Sequence, residues 1–322
     1  MLKTHDFQSI IDDGIHQLTF PKTPANLYDP LRYFLKLGGK RTRPTLTLLA
    51  CELFGKDPLL AKDAALAIEV FHNFTLIHDD IMDKAPLRRG KETVHEKWNS
   101  NVGILSGDVL FVEAYKLLGK YDAYLLPKLY TLFSQTAIEV CEGQQLDMDF
   151  EDRNDVTIAE YIEMIRLKTS VLLGTALELG AVIAEADDQA AKMLYDFGVN
   201  IGIAFQLQDD YLDLYADPDK FGKQVGGDVI ANKKTFLLLK AFELASKEQK
   251  ESLDNMLTKK SPSEKVQMAQ QLFQEIGAKE VLKQTMKDFY DEAMNSLDQI
   301  PVAIESKKNL IALANFIMNR EH

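Results

Sequence analysis

Two short acidic segments are the residues of this chain whose types and spacing most directly indicate chemistry. They are Asp79-Asp80-Ile81-Met82-Asp83 and Asp209-Asp210-Tyr211-Leu212-Asp213. In a helix, side chains three or four positions apart share a face, so the carboxylates of each segment repel one another unless cations compensate them. Carboxylate oxygens suit Mg2+, which takes its remaining ligands from water and substrate phosphates. One such segment is typical of a solvated helix end, whereas two matched segments predict a metal-dependent phosphate site.

Basic residues that could bind a phosphate lie near the first acidic segment. In Gly38-Gly39-Lys40-Arg41-Thr42-Arg43-Pro44 a flexible glycine pair precedes a cationic helix start, where backbone N–H groups and the helix dipole also favour anions. The pair Arg88-Arg89 follows the first acidic segment by a few residues, and guanidinium groups bind phosphate through paired hydrogen bonds. Either motif alone is common on protein surfaces. Next to the acidic segment, they predict anchors for a metal-bridged diphosphate.

Long helices must position these motifs. From Ala61 to Lys84 the chain has no Pro or Gly and almost no polar face until the aspartates, which predicts a helix buried nearly all round. His72 lies seven residues, about two turns, before Asp79 and could share its face. A second central helix is predicted from about 189 to 215, where Gly198 and Gly202, four residues apart, would let a neighbouring helix approach closely. Further helices are predicted at about 43–54, 103–119, 123–145, 157–183, 233–246, 248–258, 263–275, 278–297 and 302–319, and the fold class is all-α.

Length, charge and cysteine content narrow the class of protein. With 322 residues and no Ser/Gly-rich linker, the chain is predicted to form one domain over 1–322, in which the stretch up to about residue 30 is the least defined. A net charge of -12 argues against nucleic acid as a partner. The two cysteines form no CxxC pair, and neither a signal peptide nor a stretch of 18 apolar residues occurs. We therefore expect a cytoplasmic protein without a transmembrane segment.

Six ordered motifs resemble those of the trans-type polyprenyl diphosphate synthases, closest to the short-chain geranylgeranyl and farnesyl diphosphate synthases. They are Gly38–Pro44, Leu76–Asp83, Leu87–Gly90, Gly107-Asp108, Lys168-Thr169-Ser170 and Phe205–Asp213. The resemblance covers nearly the whole chain. It implies the isoprenoid synthase fold, a single large helical bundle around a central active-site cavity, with a homodimer as the usual assembly. It also implies a prenyltransferase that joins isopentenyl diphosphate to an allylic diphosphate.

The same resemblance assigns roles to individual residues. Asp79, Asp83 and Asp209 look like ligands of three Mg2+ ions, and Asp80, Asp210 and Asp213 look like supporting residues. The residues that resemble contacts of the allylic diphosphate are Arg88, Lys168, Lys223 and Lys233. Those that match the isopentenyl diphosphate site are Lys40, Arg43, His72 and Arg89.

The reaction implied by the resemblance is ionisation, condensation and elimination. The allylic cation would face the Lys168 carbonyl, the Thr169 hydroxyl and the Gln206 side chain. Phe74 lies five residues before Asp79, about 7.5 Å deeper at 1.5 Å per residue, where its ring could block a growing chain above Phe71. Because the adjacent Thr75 is small, the resemblance favours a C20 product, geranylgeranyl diphosphate, over the C15 product or long chains. Both phenylalanines could equally be ordinary core residues.

Three other classes of protein fit the sequence less well. A terpene cyclase would usually carry a looser second metal motif and would not need Lys40, Arg43 and Arg89. A non-catalytic regulatory subunit typically loses an aspartate segment, and both are intact here. A structural helical bundle with calcium-stabilised acidic corners would leave Lys168-Thr169 and the arginine pair unexplained.

Overall fold

The computed structural model describes residues 4–216 and 225–318. Helices dominate this part of the chain, and the only strands within it are two of two residues each, so the predicted all-α fold class is confirmed. The chain divides into two compact units. The first contains the residues up to Ser134, Thr175–Lys192 and Val302–Ser306, and the second contains Gln135–Gly174, Met193–Pro301 and the residues from Lys307 on.

The elements in the first half of the chain are numbered in order. The helices are α1 (Thr4–His16), α2 (Ala25–Leu35), α3 (Thr42–Leu53), a 3-10 turn (Pro58–Ala61), α4 (Lys62–Met82), α5 (Val94–Lys97), α6 (Ser100–Leu118) and α7 (Leu126–Asp152). The strands are β1 (Leu87–Arg88) and β2 (Lys91–Glu92), which pair antiparallel between α4 and α5. The prediction of helix 61–84 is confirmed by α4.

Helices are the only regular elements in the described part of the second half of the chain. It comprises α8 (Ile158–Ile165), a π-helical turn (Arg166–Ser170), α9 (Val171–Ile183), α10 (Asp188–Tyr215), α11 (Gly227–Ile230), α12 (Phe236–Leu244), α13 (Lys247–Leu257), α14 (Pro262–Ile276), α15 (Ala278–Gln299) and α16 (Ile304–Met318). The predicted helix 189–215 matches α10. The predicted helix 157–183 is interrupted by the π-helical turn, which is a correction to its regularity.

In the first unit α4 is the central helix and packs chiefly against α6, α3 and α1. It can be buried on most sides because its residues are apolar almost all round until the last turn. Fully buried side chains around it include Phe7, Leu48, Ile68, Phe71 and Ile77. This packing fixes the end of α4, where the first acidic segment lies.

In the second unit α12, α14 and α15 pack against one another, and α8 packs against α12. Its core contains Phe150, Tyr161, Leu207, Phe236 and Phe273. Local signals set several helix boundaries. Thr157 and Glu160 form a capping box at the start of α8, and Gly277 takes a left-handed conformation between α14 and α15.

No helix in the described ranges is both long enough and apolar enough to cross a membrane.

Candidate active site

The first acidic segment ends α4 and exposes its three carboxylates unequally. Asp80 is 1% exposed, Asp79 is half-buried and Asp83, the residue after the last helical position, is exposed. The Asp83 N–H donates to the Asp79 carbonyl at 2.8 Å, so the helical spacing of the two is preserved. Asp79 and Asp83 therefore share a face, while Asp80 points into the protein.

Asp80 holds Arg88. Its Oδ1 accepts hydrogen bonds from Arg88 Nε at 2.9 Å and from a terminal guanidinium nitrogen at 2.6 Å. Burial raises the pKa of Asp80, and the Arg88 guanidinium opposes that shift. Its Oδ2 is buried without a hydrogen-bond partner. The supporting aspartate thus fixes one of the two predicted arginine anchors.

A β-hairpin carries both arginines of the Arg88-Arg89 pair. Its two turn residues, Arg89 and Gly90, have φ values of 53° and 72°, as a type I′ turn requires. The hairpin is tied at its base, because the Thr93 hydroxyl donates to the Ala85 carbonyl and the Tyr33 hydroxyl donates to the Glu92 carbonyl, each at 2.8 Å. The pair is therefore held against the end of α4.

His72 lies among four arginines of the first unit. Its Nε2 is 3.2 Å from a terminal nitrogen of Arg43; because a guanidinium only donates, Nε2 accepts and the neutral ring carries its proton on Nδ1. Burial, and then Arg43, Arg89, Arg88 and Arg41, hold the pKa of His72 well below its usual value. This positive potential, on a chain of net charge -12, is what an anion site requires.

The glycine pair before α3 lets Arg89 approach this cluster. A Cβ on Gly39 would lie 3.0 Å from a guanidinium nitrogen of Arg89, so the arginine lies directly over the glycine backbone. Lys40, the next residue, is exposed. The four residues predicted for isopentenyl diphosphate, namely Lys40, Arg43, His72 and Arg89, thus belong to one unit. Arg43, His72 and Arg89 lie in the same charged cluster.

An aromatic cluster lies on the buried side of α4. Phe74 stacks on Phe111 of α6 with ring centroids 5.0 Å apart and planes within 10°, and Phe71 contacts Phe74, Phe111 and Phe133 at 5.2 to 5.5 Å. Thr75 is half-buried and donates to the His72 carbonyl. Sequence reasoning identified Phe71 and Phe74 but missed Phe111, because nothing local indicates that α6 faces them.

The second acidic segment lies in the last turns of α10. Oδ2 of Asp210 accepts hydrogen bonds from the Tyr161 hydroxyl at 2.6 Å and from the Phe236 N–H at 3.2 Å. Burial raises the pKa of Asp210 to about 8. Asp213 accepts from the Asp228 N–H at 3.1 Å, and burial followed by the Asp213 charge raises the pKa of Asp228 to about 6. These carboxylates are crowded enough that an added cation would stabilise their ionised forms.

The predicted catalytic residues lie around the π-helical turn of the second unit. Lys168 and Thr169 are within it, and the Lys168 ammonium is 2.6 Å from Oδ2 of Asp147. Two glycines allow this turn to pack closely. A Cβ on Gly143 would lie 2.2 Å from the backbone nitrogen of Lys168, and one on Gly202 would lie 2.7 Å from Ser170 Cβ. Of the two glycines predicted to allow a close approach, Gly202 makes one. Gln206 is half-buried, one helical turn further along α10.

Of the two remaining predicted lysines, one lies within the described residues. Lys233 is exposed, with its ammonium 4.0 Å from Oδ1 of Asp228. Lys223 lies outside the described residues.

Comparison with known proteins identifies the family. The family model described as polyprenyl synthetase matches residues 24–276. This chain belongs to the polyprenyl synthetase family. The synthetase is 36% identical over 319 residues to a geranylgeranyl pyrophosphate synthase from Geoglobus acetivorans, with 98% of each chain covered. A crystal structure of a geranylgeranyl pyrophosphate synthase matches all of both chains with a TM-score of 0.94 and 44% identity.

A further solved structure of a relative is similar to this synthetase over nearly its whole length. The polyprenyl synthase from Caulobacter crescentus CB15, complexed with calcium and isoprenyl diphosphate, is 30% identical with a TM-score of 0.82. The match covers 99% of this chain and 94% of that one. The isoprenoid synthase fold and the prenyltransferase class are thereby confirmed for this synthetase.

The carboxylates of the synthetase suit a magnesium ion that takes its other ligands from water and substrate phosphate. Within the described ranges, no group of three or more His, Cys, Asp and Glu side chains is placed to hold a metal ion by itself. Mg2+ is usually bound through one or two carboxylates, with waters and substrate phosphates as the other ligands. The crowded carboxylates around Asp213 and Asp228 match that donor set.

Proposed function

We propose that this synthetase condenses isopentenyl diphosphate head-to-tail with an allylic diphosphate and releases geranylgeranyl diphosphate. The observation that carries the proposal is the cluster of Arg43, Arg88 and Arg89 around the neutral His72, next to the acidic end of α4. Guanidinium groups bind diphosphate oxygens through paired hydrogen bonds. The relatives named as geranylgeranyl diphosphate synthases support the choice of product.

The isopentenyl diphosphate is proposed to bind at Lys40, Arg43, His72 and Arg89 without metal. Neutral His72 accepts from Arg43, which holds the guanidinium in place and leaves its other N–H groups for the phosphate. Arg89 reaches the same region over Gly39. Burial lowers the pKa of both Arg43 and Arg89, and an anion between them would offset that loss of hydration.

The allylic diphosphate is proposed to bind through Mg2+ and four cationic side chains. The proposed metal ligands are Asp79, Asp83 and Asp209, with Asp80, Asp210 and Asp213 in support. The proposed cations are Arg88, Lys168, Lys223 and Lys233. Three ions are expected, and when bound they would neutralise negative charge on the departing diphosphate.

The chemistry requires no protein nucleophile. The allylic C–O bond breaks with both electrons leaving on the diphosphate, and the Lys168 carbonyl, the Thr169 hydroxyl and the Gln206 side chain face the resulting cation. The double bond of isopentenyl diphosphate then forms the new C–C bond. The released diphosphate takes the proton that restores a double bond, so atoms and charge balance. Preorganised oxygen dipoles stabilise the positive centre without reorganisation.

Product length is proposed to be limited by Phe74. Its ring is 8% exposed and is held between Phe111 and Phe71, so it cannot rotate away easily when a chain presses on it. With Thr75 small, the cavity above Phe74 is proposed to accept a C20 chain and to exclude longer ones.

A homodimer is proposed on the apolar outer face of α6. Leu105 and Val112 are two turns apart on this helix and are 58% and 59% exposed, with Ile104 beside them at 42%. Exposed apolar side chains that share one side of a helix are costly to leave in water, and a second copy of the chain would cover them by the same face. A cytoplasmic location is also proposed. Both cysteines are free, as is usual in the reducing cytosol.

Product identification with three allylic primers tests the proposed function. The purified protein is incubated with Mg2+, isopentenyl diphosphate and, separately, dimethylallyl, geranyl or farnesyl diphosphate, and the products are separated by chain length. We expect elongation to C20 with any primer that is accepted. Absence of elongation with all three primers would remove the synthase assignment.

A further inference from the structure

Arg41 lies between two residues of the proposed isopentenyl diphosphate site and makes different contacts from either. Lys40 is exposed and Arg43 contacts His72, whereas Arg41 is only 4% exposed. Its Nε donates to Oδ1 of Asp12 at 2.9 Å, and a terminal nitrogen donates to Oε1 of Glu69 at 2.5 Å. The guanidinium is thus buried and paired with two carboxylates, which distinguishes it from the side chains of Lys40 and Arg43.

The backbone at Arg41 takes a conformation that needs external support. Its φ of 50° and ψ of 33° are left-handed, a region that L residues other than glycine seldom adopt. Arg41 also begins α3, since its carbonyl accepts from the Thr45 N–H at 3.2 Å. The side-chain ion pairs therefore stabilise the turn that sets the directions of Lys40 and Arg43.

Glu69 connects this turn to His72. It lies on α4, three residues before His72, and is 2% exposed. The Asn73 amide donates to Oε1 of Glu69 at 3.1 Å and to its carbonyl at 2.7 Å, which fixes the carboxylate. A planar guanidinium bridging Glu69 and Asp12 joins α4, α1 and the turn through charge-assisted hydrogen bonds.

We propose that Arg41 is a positioning residue for the isopentenyl diphosphate site, which it serves by fixing the Lys40–Arg43 turn against Glu69 and Asp12. The inference rests on the proposed function. It predicts that loosening the bridge impairs use of isopentenyl diphosphate selectively, because Lys40 and Arg43 belong to that site and not to the allylic one. Small displacements of positioning groups have large effects on binding and rate.

The test compares Arg41→Lys with Leu118→Ala. A lysine keeps the charge, but its compact ammonium cannot span both carboxylates as a guanidinium fork does. Leu118 is fully buried at the end of α6 and is used in neither proposed site, so its truncation lowers the melting temperature without moving the turn. We expect Arg41→Lys to raise KM for isopentenyl diphosphate about tenfold or more, with KM for the allylic diphosphate within about twofold of wild type.

A milder variant covers the case in which Arg41→Lys does not fold. Asp12→Asn weakens the bridge at its 38% exposed carboxylate, and we expect a smaller rise of the same KM. We expect Leu118→Ala to leave both KM values unchanged. The proposal is overturned if a folded Arg41→Lys or Asp12→Asn variant changes both KM values equally or leaves both unchanged. A wild-type protein that performs no condensation would instead overturn the proposed function.

Discussion

At the residue scale, the hydrogen bond between Arg43 and His72 requires that the His72 ring in the candidate anion site is neutral. A protonated His72 could not accept from Arg43, and its charge would add to that of four arginines. Burial and those arginines keep the ring neutral, which preserves the hydrogen bond. The neutral histidine is therefore a condition for packing so many guanidinium groups close together.

This depressed pKa predicts how stability depends on pH. Because the unfolded chain binds a proton at His72 below about pH 6.5 while the folded protein does not, the free energy of unfolding falls as pH falls from there towards the depressed value. One such group contributes at most about 1.4 kcal/mol per pH unit. Urea unfolding at pH 7.5, 6.5 and 5.5 should show a steeper loss for wild type than for His72→Gln. Parallel losses would contradict the assignment.

The stacked pair of Phe74 and Phe111 predicts product length. Phe74→Ala should extend the main product by at least one C5 unit, because it removes the ring proposed as the floor. Phe111→Ala should give a mixture of C20 and longer products, because Phe74 loses its stacking partner. Phe34→Ala, an equal truncation of a fully buried ring outside the cluster, is the control and should leave chain length unchanged. Unchanged products from Phe74→Ala would rule out its role.

Residue types could be predicted from sequence more readily than residue partners. The spacing of Asp79, Asp80 and Asp83 indicated a shared face, but not that Asp80 would turn inward to hold Arg88. Likewise, Lys40, Arg41 and Arg43 are indistinguishable as cations in sequence. The resemblance sets Arg41 apart from the other two, but only the fold shows its partners, because Glu69 and Asp12 come from other helices.

At the element scale, the long apolar helices were predictable and the irregular elements were not. The helix predicted at 61–84 is found at Lys62–Met82, because its burial imposes a largely apolar pattern without Pro or Gly. Helices α1 and α2 were not predicted, since Pro21 and Pro24 obscured the pattern near residue 30. The hairpin has two residues in each strand, too few for a period of two to be visible. The π-helical turn has no signature of its own.

The packing of α7 against the π-helical turn predicts the effect of a single methyl group. In Gly143→Ala the new Cβ would meet the Lys168 backbone at 2.2 Å, so α7 or the turn must move. We expect a loss of about 1–3 kcal/mol of stability and a fall in kcat as Lys168 is displaced. In Gly14→Ala, by contrast, the Cβ meets side-chain ends, namely the Leu66 methyl groups at 2.8 and 2.9 Å and Lys62 Cε at 3.2 Å. These can shift without moving a backbone, so the loss of stability should be smaller and kcat should stay near wild type. Equal behaviour of the two variants would contradict this account.

At the scale of the whole molecule, the chain is acidic but gathers positive side chains at the site proposed for an anionic substrate. The net charge of -12 coexists with a local cluster of arginines around His72 and with crowded carboxylates in the second unit. Composition alone predicted that nucleic acid is not a partner. It could not show where the positive potential lies, because that depends on which side chains the fold brings together.

The outer face of α6 predicts the oligomeric state. Replacing Leu105 and Val112 together by Glu should convert a dimer into a monomer, because buried carboxylates without partners are costly in an apolar interface. Leu60→Glu changes an equally exposed apolar residue, 54% exposed in the 3-10 turn, and should leave the mass in solution unchanged. Light scattering after size-exclusion chromatography distinguishes the two. A double variant that remains dimeric would place the interface elsewhere.

The central claim, metal-dependent condensation of two diphosphates, is tested most directly by incorporation of labelled isopentenyl diphosphate. The wild-type protein is supplied with farnesyl diphosphate, in Mg2+ and in excess chelator, and the label is followed into the prenyl product. We predict a C20 labelled product in Mg2+ and none in chelator. Equal incorporation under both conditions, or none under either, would contradict the account.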